Sequence, residues 1–296
     1  MNISVIVPTL HDDVLPRTIE AILNQNPLPF EIIIVGLFDA NLIDVYPSVH
    51  FVSTQVPVCA AKARNTGIAQ ATGDVFLFTD SDCIPAPDWV GRHQAGQIAG
   101  HLVLGGGVDI DDENYWARSD NVSMFHEFST VAIAGTRFLI PTLNASVHRT
   151  VYDRVGGMDE SFPGAAGEDT DWTIRMRLAG YTLDFDPSIV VAHRPVRLNW
   201  KRVARHWFNA GYNNMRPRFR YPSEYNMPKF TKSALFWRLL SPLIGVKITW
   251  DIYKQAIYRP YWASLPVVYA TKVVYCWGAA RSLDDGFVDP SAAEAK

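Results

Sequence analysis

Asp74-Val-Phe-Leu-Phe-Thr-Asp80-Ser-Asp82 is the stretch from which the rest of this chain can be read. An apolar, strand-like run ends there in two carboxylates one residue apart. Side chains alternate along a strand, so Asp80 and Asp82 are presented together where the strand runs out. Paired carboxylate oxygens suit a hard divalent cation, Mg²⁺ or Mn²⁺, which keeps coordination positions open for substrate phosphates. An acidic turn after a strand is, by itself, more often a solvated cap. Its neighbours therefore decide the reading.

Outward from that stretch, strand-like runs alternate with helix-like ones: 3–7, a helix near 14–25, 31–35, 49–53, a helix near 60–71, 75–79 and a helix near 87–98. Such alternation predicts an α/β fold with a mostly parallel sheet covered by helices on both faces. Ligands in these sheets sit outside the carboxyl ends of strands, where Asp80 and Asp82 lie. Leu102 to Ile110 reads as a strand interrupted by Gly105, Gly106 and Gly107, which serve either packing or the close approach of a ligand. A helical stretch near 119–133 precedes Phe138-Leu-Ile-Pro, Asn144-Ala-Ser, a helix at 149–155 and the turn Gly156-Gly157. A helix from Glu168 to Gly180, with acids at its positive end, leads to strand-like runs at 182–185 and 189–193.

The 296 residues are 48% hydrophobic and 19% charged, an ordinary globular balance that argues against disorder. Cys59, Cys83 and Cys276 are odd in number and widely spaced, which suggests neither a disulfide framework nor a zinc site. No basic segment followed by a long apolar one precedes Ile3, so no signal peptide is expected and the catalytic part is expected in the cytoplasm.

The net charge of −3 conceals a division. Residues 1–193 carry 10 basic and 24 acidic residues, whereas 194–281 carry 16 basic and 2 acidic; 282–296 carry 1 and 4. A segment that basic points to an anionic partner. Six of the nine Trp and eight of the twelve Tyr lie in the same 194–281 segment among Leu, Ile and Val, a mixture that favours an anionic membrane surface over nucleic acid. The region is helical in pattern, broken by prolines at 217, 222, 228, 242, 260 and 266. Residues 261–280 are the best candidate span but contain Lys272, so helices lying in the membrane interface are preferred over a span or hairpin. The expected division is a catalytic domain over 1–195, a helical membrane-associating and acceptor-side region over 196–281, and a loose acidic tail over 282–296.

An ordered set of motifs adds identity to these patterns: Val5-Ile-Val-Pro-Thr9, Ala63-Arg-Asn-Thr-Gly67, Gly73 to Asp82, Val155-Gly-Gly-Met-Asp-Glu160 and Gly167-Glu-Asp-Thr-Asp-Trp172. Together they resemble the family 2 inverting nucleotide-sugar glycosyltransferases of GT-A fold, over about residues 1–210. The resemblance implies a GT-A, Rossmann-like mixed sheet flanked by helices, here followed by a C-terminal helical, basic and aromatic extension. It implies that Pro8, Thr9, Arg64, Asn65, Asp80 and Ser81 face the nucleotide sugar, with Asp82 on a divalent metal that bridges the two phosphates. Such an ion neutralises the charge developing on the departing nucleoside diphosphate.

Family members usually carry adjacent acids at the end of the second strand. This chain has Val35-Gly36-Leu37-Phe38-Asp39, so Asp39 is the substitute expected to meet the base, and UDP is expected on family frequency. Glu168 and Asp169 resemble the acidic pair that carries the general base. Asp169 is the candidate, with Asp171 as alternative, since i and i+2 on a helix point apart. His193 resembles a histidine that completes the metal shell in some GT-A enzymes, though a lone histidine is more often structural. Asn144, Trp172, His206 and Trp207 are expected on the acceptor side, with core packing open for at least one of the aromatic residues.

The resulting expectation is a metal-dependent inverting transferase on the cytoplasmic face of a membrane, using a UDP-sugar and a glycan or lipid-linked acceptor. Two rivals remain at this point. A sugar nucleotidyltransferase would want a glycine-rich, basic phosphate loop after the first strand, where this chain has His11-Asp-Asp13. A non-catalytic membrane or nucleic-acid binder would leave the carboxylates of 80–82 and 168–169 without a purpose.

Overall fold

The computed structural model describes residues 1–287. In chain order the elements are β1 (Ile3–Leu10), α1 (Leu15–Leu23), β2 (Glu31–Leu37), α2 (Asn41–Val45), β3 (His50–Ser53), α3 (Ala60–Gln70), β4 (Val75–Thr79), β5 (Cys83–Pro85), α4 (Trp89–Ile98), β6 (Val103–Asp109) and α5 (Tyr115–Phe125). There follow β7 (Gly135–Thr136), β8 (Asn144–His148), α6 (Arg149–Val155), α7 (Glu168–Leu178), β9 (Asp184–His193), α8 (Trp200–Arg220), α9 (Pro222–Tyr225), α10 (Ala234–Tyr253) and α11 (Leu265–Asp284). They form two compact units. The first comprises residues 1–110, 127–161 and 168–195, and the second 111–126, 162–167 and 196 onward.

The first unit is built on a nine-stranded sheet in the order β3-β2-β1-β4-β8-β6-β9-β5, with β7 alongside β9. Strands β3, β2, β1 and β4 are parallel. All five residues of β4 are buried, as an unbroken apolar run in a strand covered on both faces requires. Strand β8 then runs antiparallel to both β4 and β6, which makes the sheet mixed where the alternation alone suggested a mostly parallel one. Because β8 reverses direction on both sides, β6 and β9 run the same way as β4. The carboxyl ends of β1, β4, β6 and β9 consequently share one rim of the sheet.

The two strand-like runs at 182–185 and 189–193 are one strand. Gly106 pairs with Asp186 and Gly107 with Val190, so β9 bulges at Pro187, the residue that interrupts the sequence pattern. A Cβ on Gly106 would lie 2.3 Å from the Ile189 carbonyl, and one on Gly107 2.3 Å from that of Pro187. The glycines in β6 thus serve strand packing around the bulge.

Asn144, expected on the acceptor side, lies at the centre of this sheet and is 1% exposed. Its carbonyl accepts from Trp89 Nε1 at 2.8 Å and meets His93 Nε2 at 3.0 Å, while its amide donates to the carbonyls of Gly107 and Ile189. All four bonds are internal, which corrects the expectation: Asn144 ties β8 to α4, β6 and β9. Burial lowers the His93 pKa to about 4, so its ring is neutral, with Nδ1 facing Ser146 Oγ at 2.9 Å.

In the second unit α11 packs on α8, α10 and α5. Gly211 and Gly278 allow α8 and α11 to cross closely, since a Cβ at either would come within 2.0 Å of the Tyr275 or Phe208 carbonyl. Lys272 on α11 is buried, donates to the Ser123 carbonyl at 2.9 Å and lies over the Trp207 ring. α11 is therefore the centre of this unit, and no described helix is long and apolar enough to cross a membrane. The helix expected near 119–133 starts earlier, at the Asn114 cap, whose carbonyl accepts from the Trp116 and Ala117 amides. At the other end α11 runs on to Asp284, and the part of the acidic tail beyond 287 lies outside the described residues.

Candidate active site

Three loops at the carboxyl rim of the first unit carry the acids. After β4, Asp80 accepts from Arg64 at 2.6 Å, and the same guanidinium donates to Glu168 at 3.1 Å. The Arg64 and Glu168 side chains are only 4% and 3% exposed, against 33% for Asp80. Arg64 is therefore a buried strut that joins the end of β4 to the start of α7. Burial alone would favour a neutral guanidine, but Asp80 and Glu168 more than offset it and hold the charge.

Asp169 follows Glu168 in the first turn of α7 and accepts from the Thr170 amide at 2.7 Å. Burial lifts its carboxyl above the ordinary range, with Asp80 adding to the rise and Arg64 opposing it. A raised carboxylate is the better proton acceptor. Asp171 behaves differently. It is fully buried and pairs with Arg175 at 2.9 Å, whose guanidinium also donates to the carbonyls of Val155 and Gly157. Asp171 is thus part of a structural clamp, which leaves Asp169 as the candidate base.

The same clamp accounts for two other residues. Trp172 is 1% exposed, packs edge-on against Phe78 and donates Nε1 to the Gly156 carbonyl at 2.8 Å. Asn65 accepts from the Met158 amide at 2.8 Å and donates to the Met158 carbonyl and to Glu160. A Cβ on Gly157 would fall 2.7 Å from the Asn65 carbonyl oxygen. The glycine turn at 156–158 is therefore gripped from α3 and from α7. Both side chains are committed to that turn, which corrects the expectation of an acceptor-side Trp172 and a nucleotide-facing Asn65.

Asp82 lies on the far side of the same loop. Its Oδ2 is 3.4 Å from His193 Nε2, and its carbonyl accepts from the Arg194 amide at 2.8 Å. The cause is strand register: β5 pairs antiparallel with β9 so that Cys83 faces His193, which draws the two ligand candidates together. Asp82, Cys83 and His193 offer ligand atoms within 4.8 Å of one another. Burial, reinforced by the charges of Asp82 and Asp80, pushes the Cys83 thiol well above its usual range, and a soft sulfur donor is in any case a poor match for a hard divalent cation. A carboxylate oxygen and an imidazole nitrogen remain, a donor pair that fits Mn²⁺ or Mg²⁺ and leaves positions for phosphate oxygens.

Ser81 holds the loop from within. Its hydroxyl donates to Asp12 at 3.0 Å, and its carbonyl accepts from Thr18 on α1 at 2.8 Å. Asp12 is the site residue that sequence reasoning passed over. Burial and then the nearby charge of Asp82 raise its pKa, and it adds a further carboxyl beside Asp82. The signal was an acid two residues beyond the end of β1.

Pro8 and Thr9 close β1 beside Val35 and Gly36, and the Thr9 hydroxyl is buried with no hydrogen-bond partner among the described residues. A Cβ on Gly36 would lie 1.9 Å from the Thr9 carbonyl, and Gly36 has φ +139°, so only glycine fits where β2 ends. Asp39 follows in the open, accepting from the Asn41 amide at the start of α2.

His206 and Trp207 belong to the second unit. Trp207 is buried, donating Nε1 to Asp120 at 2.7 Å, and His206 stands edge-on to it. Burial would raise the Asp120 carboxyl, but Arg197, His206 and Trp207 together hold it below its usual range. Trp207 thus packs in a core around an ionised aspartate. A cavity of about 490 Å³ in the first unit, lined by Arg92, His101, Leu104, Asp184 and Phe185, opens at the amino ends of β6 and β9. That is the rim opposite the acids.

Comparison with known proteins identifies the family and the fold. Residues 4–156 match the domain described as Glycosyl transferase family 2. Over 135 residues the chain is 32% identical to Glycosyltransferase AglE of Haloferax volcanii, an alignment covering 44% of this chain and 43% of the relative, so the chain spans less than half of that relative's length. The mannosyltransferase PcManGT from Pyrobaculum calidifontis, solved with GDP-Man and Mn²⁺, superposes with a TM-score of 0.62 at 15% identity, covering 96% of this chain and 87% of that one. GalNAc-T7, solved with UDP, GalNAc and Mn²⁺, gives 0.56 at 16% identity over 77% of this chain and 52% of the other. With a mixed sheet of the GT-A type and more than half its length matched by the family domain, the chain belongs to glycosyl transferase family 2.

Proposed function

We propose that the protein transfers a sugar from a nucleoside diphosphate donor to an acceptor hydroxyl with inversion at the anomeric carbon, and that it does so with a divalent metal. The observation that carries this reading is the Arg64 strut. It ties Asp80 to Glu168 and so holds Asp169, a carboxylate of raised basicity, on the same rim as Asp82 and His193.

Asp169 takes the acceptor hydroxyl's proton as that oxygen attacks C1, and the bond from C1 to the diphosphate oxygen breaks on the opposite face. Asp82 and His193 would hold the metal, which when bound neutralises charge on the leaving diphosphate. Asp80, kept in place by Arg64, is the carboxylate open to the donor's sugar or ribose. Pro8 and Thr9 border the nucleotide, with Asp39 at the end of β2 to meet the base.

The donor is proposed to be a UDP-sugar, Mn²⁺ or Mg²⁺ the metal, and the acceptor a lipid-linked or cell-surface glycan reached from the cytoplasmic face of a membrane. The purified protein with a panel of UDP-, GDP- and dTDP-sugars tests the reading. Metal-dependent release of UDP from one of them, silenced by chelation and restored by Mn²⁺, is the expected result. Absence of hydrolysis and of thermal stabilisation by every nucleotide sugar with Mn²⁺ would refute it.

A further inference from the structure

Helix α10 is built inside out. Its buried residues are Trp237, Ser241, Gly245, Thr249 and Ile252, three of them small or polar. Gly245 sits against Tyr269 and Val273 of α11, and Trp237 packs with Cys276, Ala279 and Ala280. Leu235, Leu239, Leu243, Val246 and Trp250 recur at the three- and four-residue spacing of one helical face and are all exposed. Leu239, Leu243 and Trp250 are 67%, 66% and 68% exposed. A helix on a water-soluble surface shows the reverse, with apolar residues inward and polar residues outward. Small residues between helices and large apolar ones outside are what a lipid environment favours.

The charges around this stripe identify the occupant. Lys247 and Lys254 lie on the same face, four residues after Leu243 and four after Trp250, with side chains 76% and 53% exposed; they share the single carboxylate of Asp251, at 2.6 and 2.7 Å, which leaves a net positive charge at this surface. Between Lys229 and Arg259 there are six basic residues and one acid, Asp251. Lysine is depleted in the core of protein interfaces, but its long stem can follow an apolar surface while its ammonium reaches an anionic headgroup.

We propose that the Leu235–Trp250 face of α10 is a lipid-docking surface, lying flat in the interface of an anionic bilayer with Leu239, Leu243 and Trp250 inserted and Lys247 and Lys254 at the headgroups. The helix is too polar to span, and its exposed stripe, about 22 Å long at 1.5 Å per residue, suits a shallow, parallel placement. This rests on the membrane-side reading of the proposed function and specifies the surface that reading needs.

The test uses the full chain, with vesicles of phosphatidylcholine alone and of phosphatidylcholine with phosphatidylglycerol. The wild type is expected to pellet with the anionic vesicles and to be quenched by brominated lipid, with less quenching in Trp250→Phe. Lys247→Gln/Lys254→Gln is expected to bind roughly thirtyfold more weakly at low salt. Leu239→Glu/Leu243→Glu is expected to stay in solution while keeping wild-type thermal stability and donor hydrolysis. Pelleting of that double variant equal to wild type, or no effect of the lysine pair, would overturn the proposal. So would a dimer by light scattering that Leu239→Glu/Leu243→Glu dissociates with no vesicle binding by either form, since the stripe would then face a second copy. If instead the wild type binds vesicles but turns over no nucleotide sugar, the catalytic reading fails and the docking surface stands.

Discussion

Arg64 and Glu168, 104 positions apart in sequence, meet at 3.1 Å in a nearly water-free position, and Asp80 completes the pair from the other side. One cation therefore carries the geometry of two motifs. Removing it would break a buried ion pair with Glu168, at a penalty larger than that of a surface ion pair. Arg64→Ala is expected to lower unfolding stability by about 3–5 kcal/mol. Chemical denaturation of wild type and variant checks this; a loss under about 1 kcal/mol, the range of exposed pairs, would contradict the strut.

Asp82→Ala is expected to abolish metal-dependent transfer with little change in melting temperature. The side chain sits at a strand end, and its backbone carbonyl, which binds the Arg194 amide, survives the substitution. The check is activity across a Mn²⁺ titration together with the thermal melt. Wild-type turnover at any Mn²⁺ level would remove Asp82 from the metal site.

Asp169→Asn is expected to bind donor and metal normally and to turn over about 10²–10⁴-fold more slowly, since the amide keeps the shape and loses the basicity. Asp171→Asn should do the opposite. It weakens the buried pair with Arg175 and is expected to cost about 1–3 kcal/mol of stability while kcat per folded molecule changes little. A dead Asp171→Asn beside an active Asp169→Asn would move the base.

His93 makes the first unit acid-sensitive. Its folded pKa of about 4 lies below the ordinary value of 6.5, so between these values the unfolded chain binds more protons than the folded one. Stability is retained above pH 6.5 and lost as pH falls towards 4. From pH 7 to 5 this one group removes about 2 kcal/mol. Urea midpoints at the two values, in wild type and in His93→Asn, check it: the variant should start less stable and fall less.

Much of this fold could be read from periodicity. The alternating runs located β1, α1, β2, α3 and β4, because an unbroken apolar strand and a helix with buried residues at 15, 18, 19 and 22 have different periods that neighbours cannot disguise. The reversal at β8 was not legible. A five-residue strand with four residues buried looks the same whether its partners run parallel or antiparallel to it, and direction is set by the connections.

The sequence by itself determined the acids at 80, 82, 168 and 169 and the ordered motifs that mark the family, since these depend on local order along the chain. Tertiary structure alone decided what each polar residue does. Asn65, Asn144 and Trp172 have the chemistry to meet a substrate, but each is surrounded by backbone groups that must be satisfied once water is excluded, and packing turned them inward. Likewise His193 became a partner of Asp82 only through the β5–β9 register, and the Leu235–Trp250 face of α10 became an exposed stripe only because α11 took the side lined with small residues. Spacing along a chain places side chains relative to their own backbone, but which of them face solvent, substrate or one another depends on contacts between segments far apart in sequence.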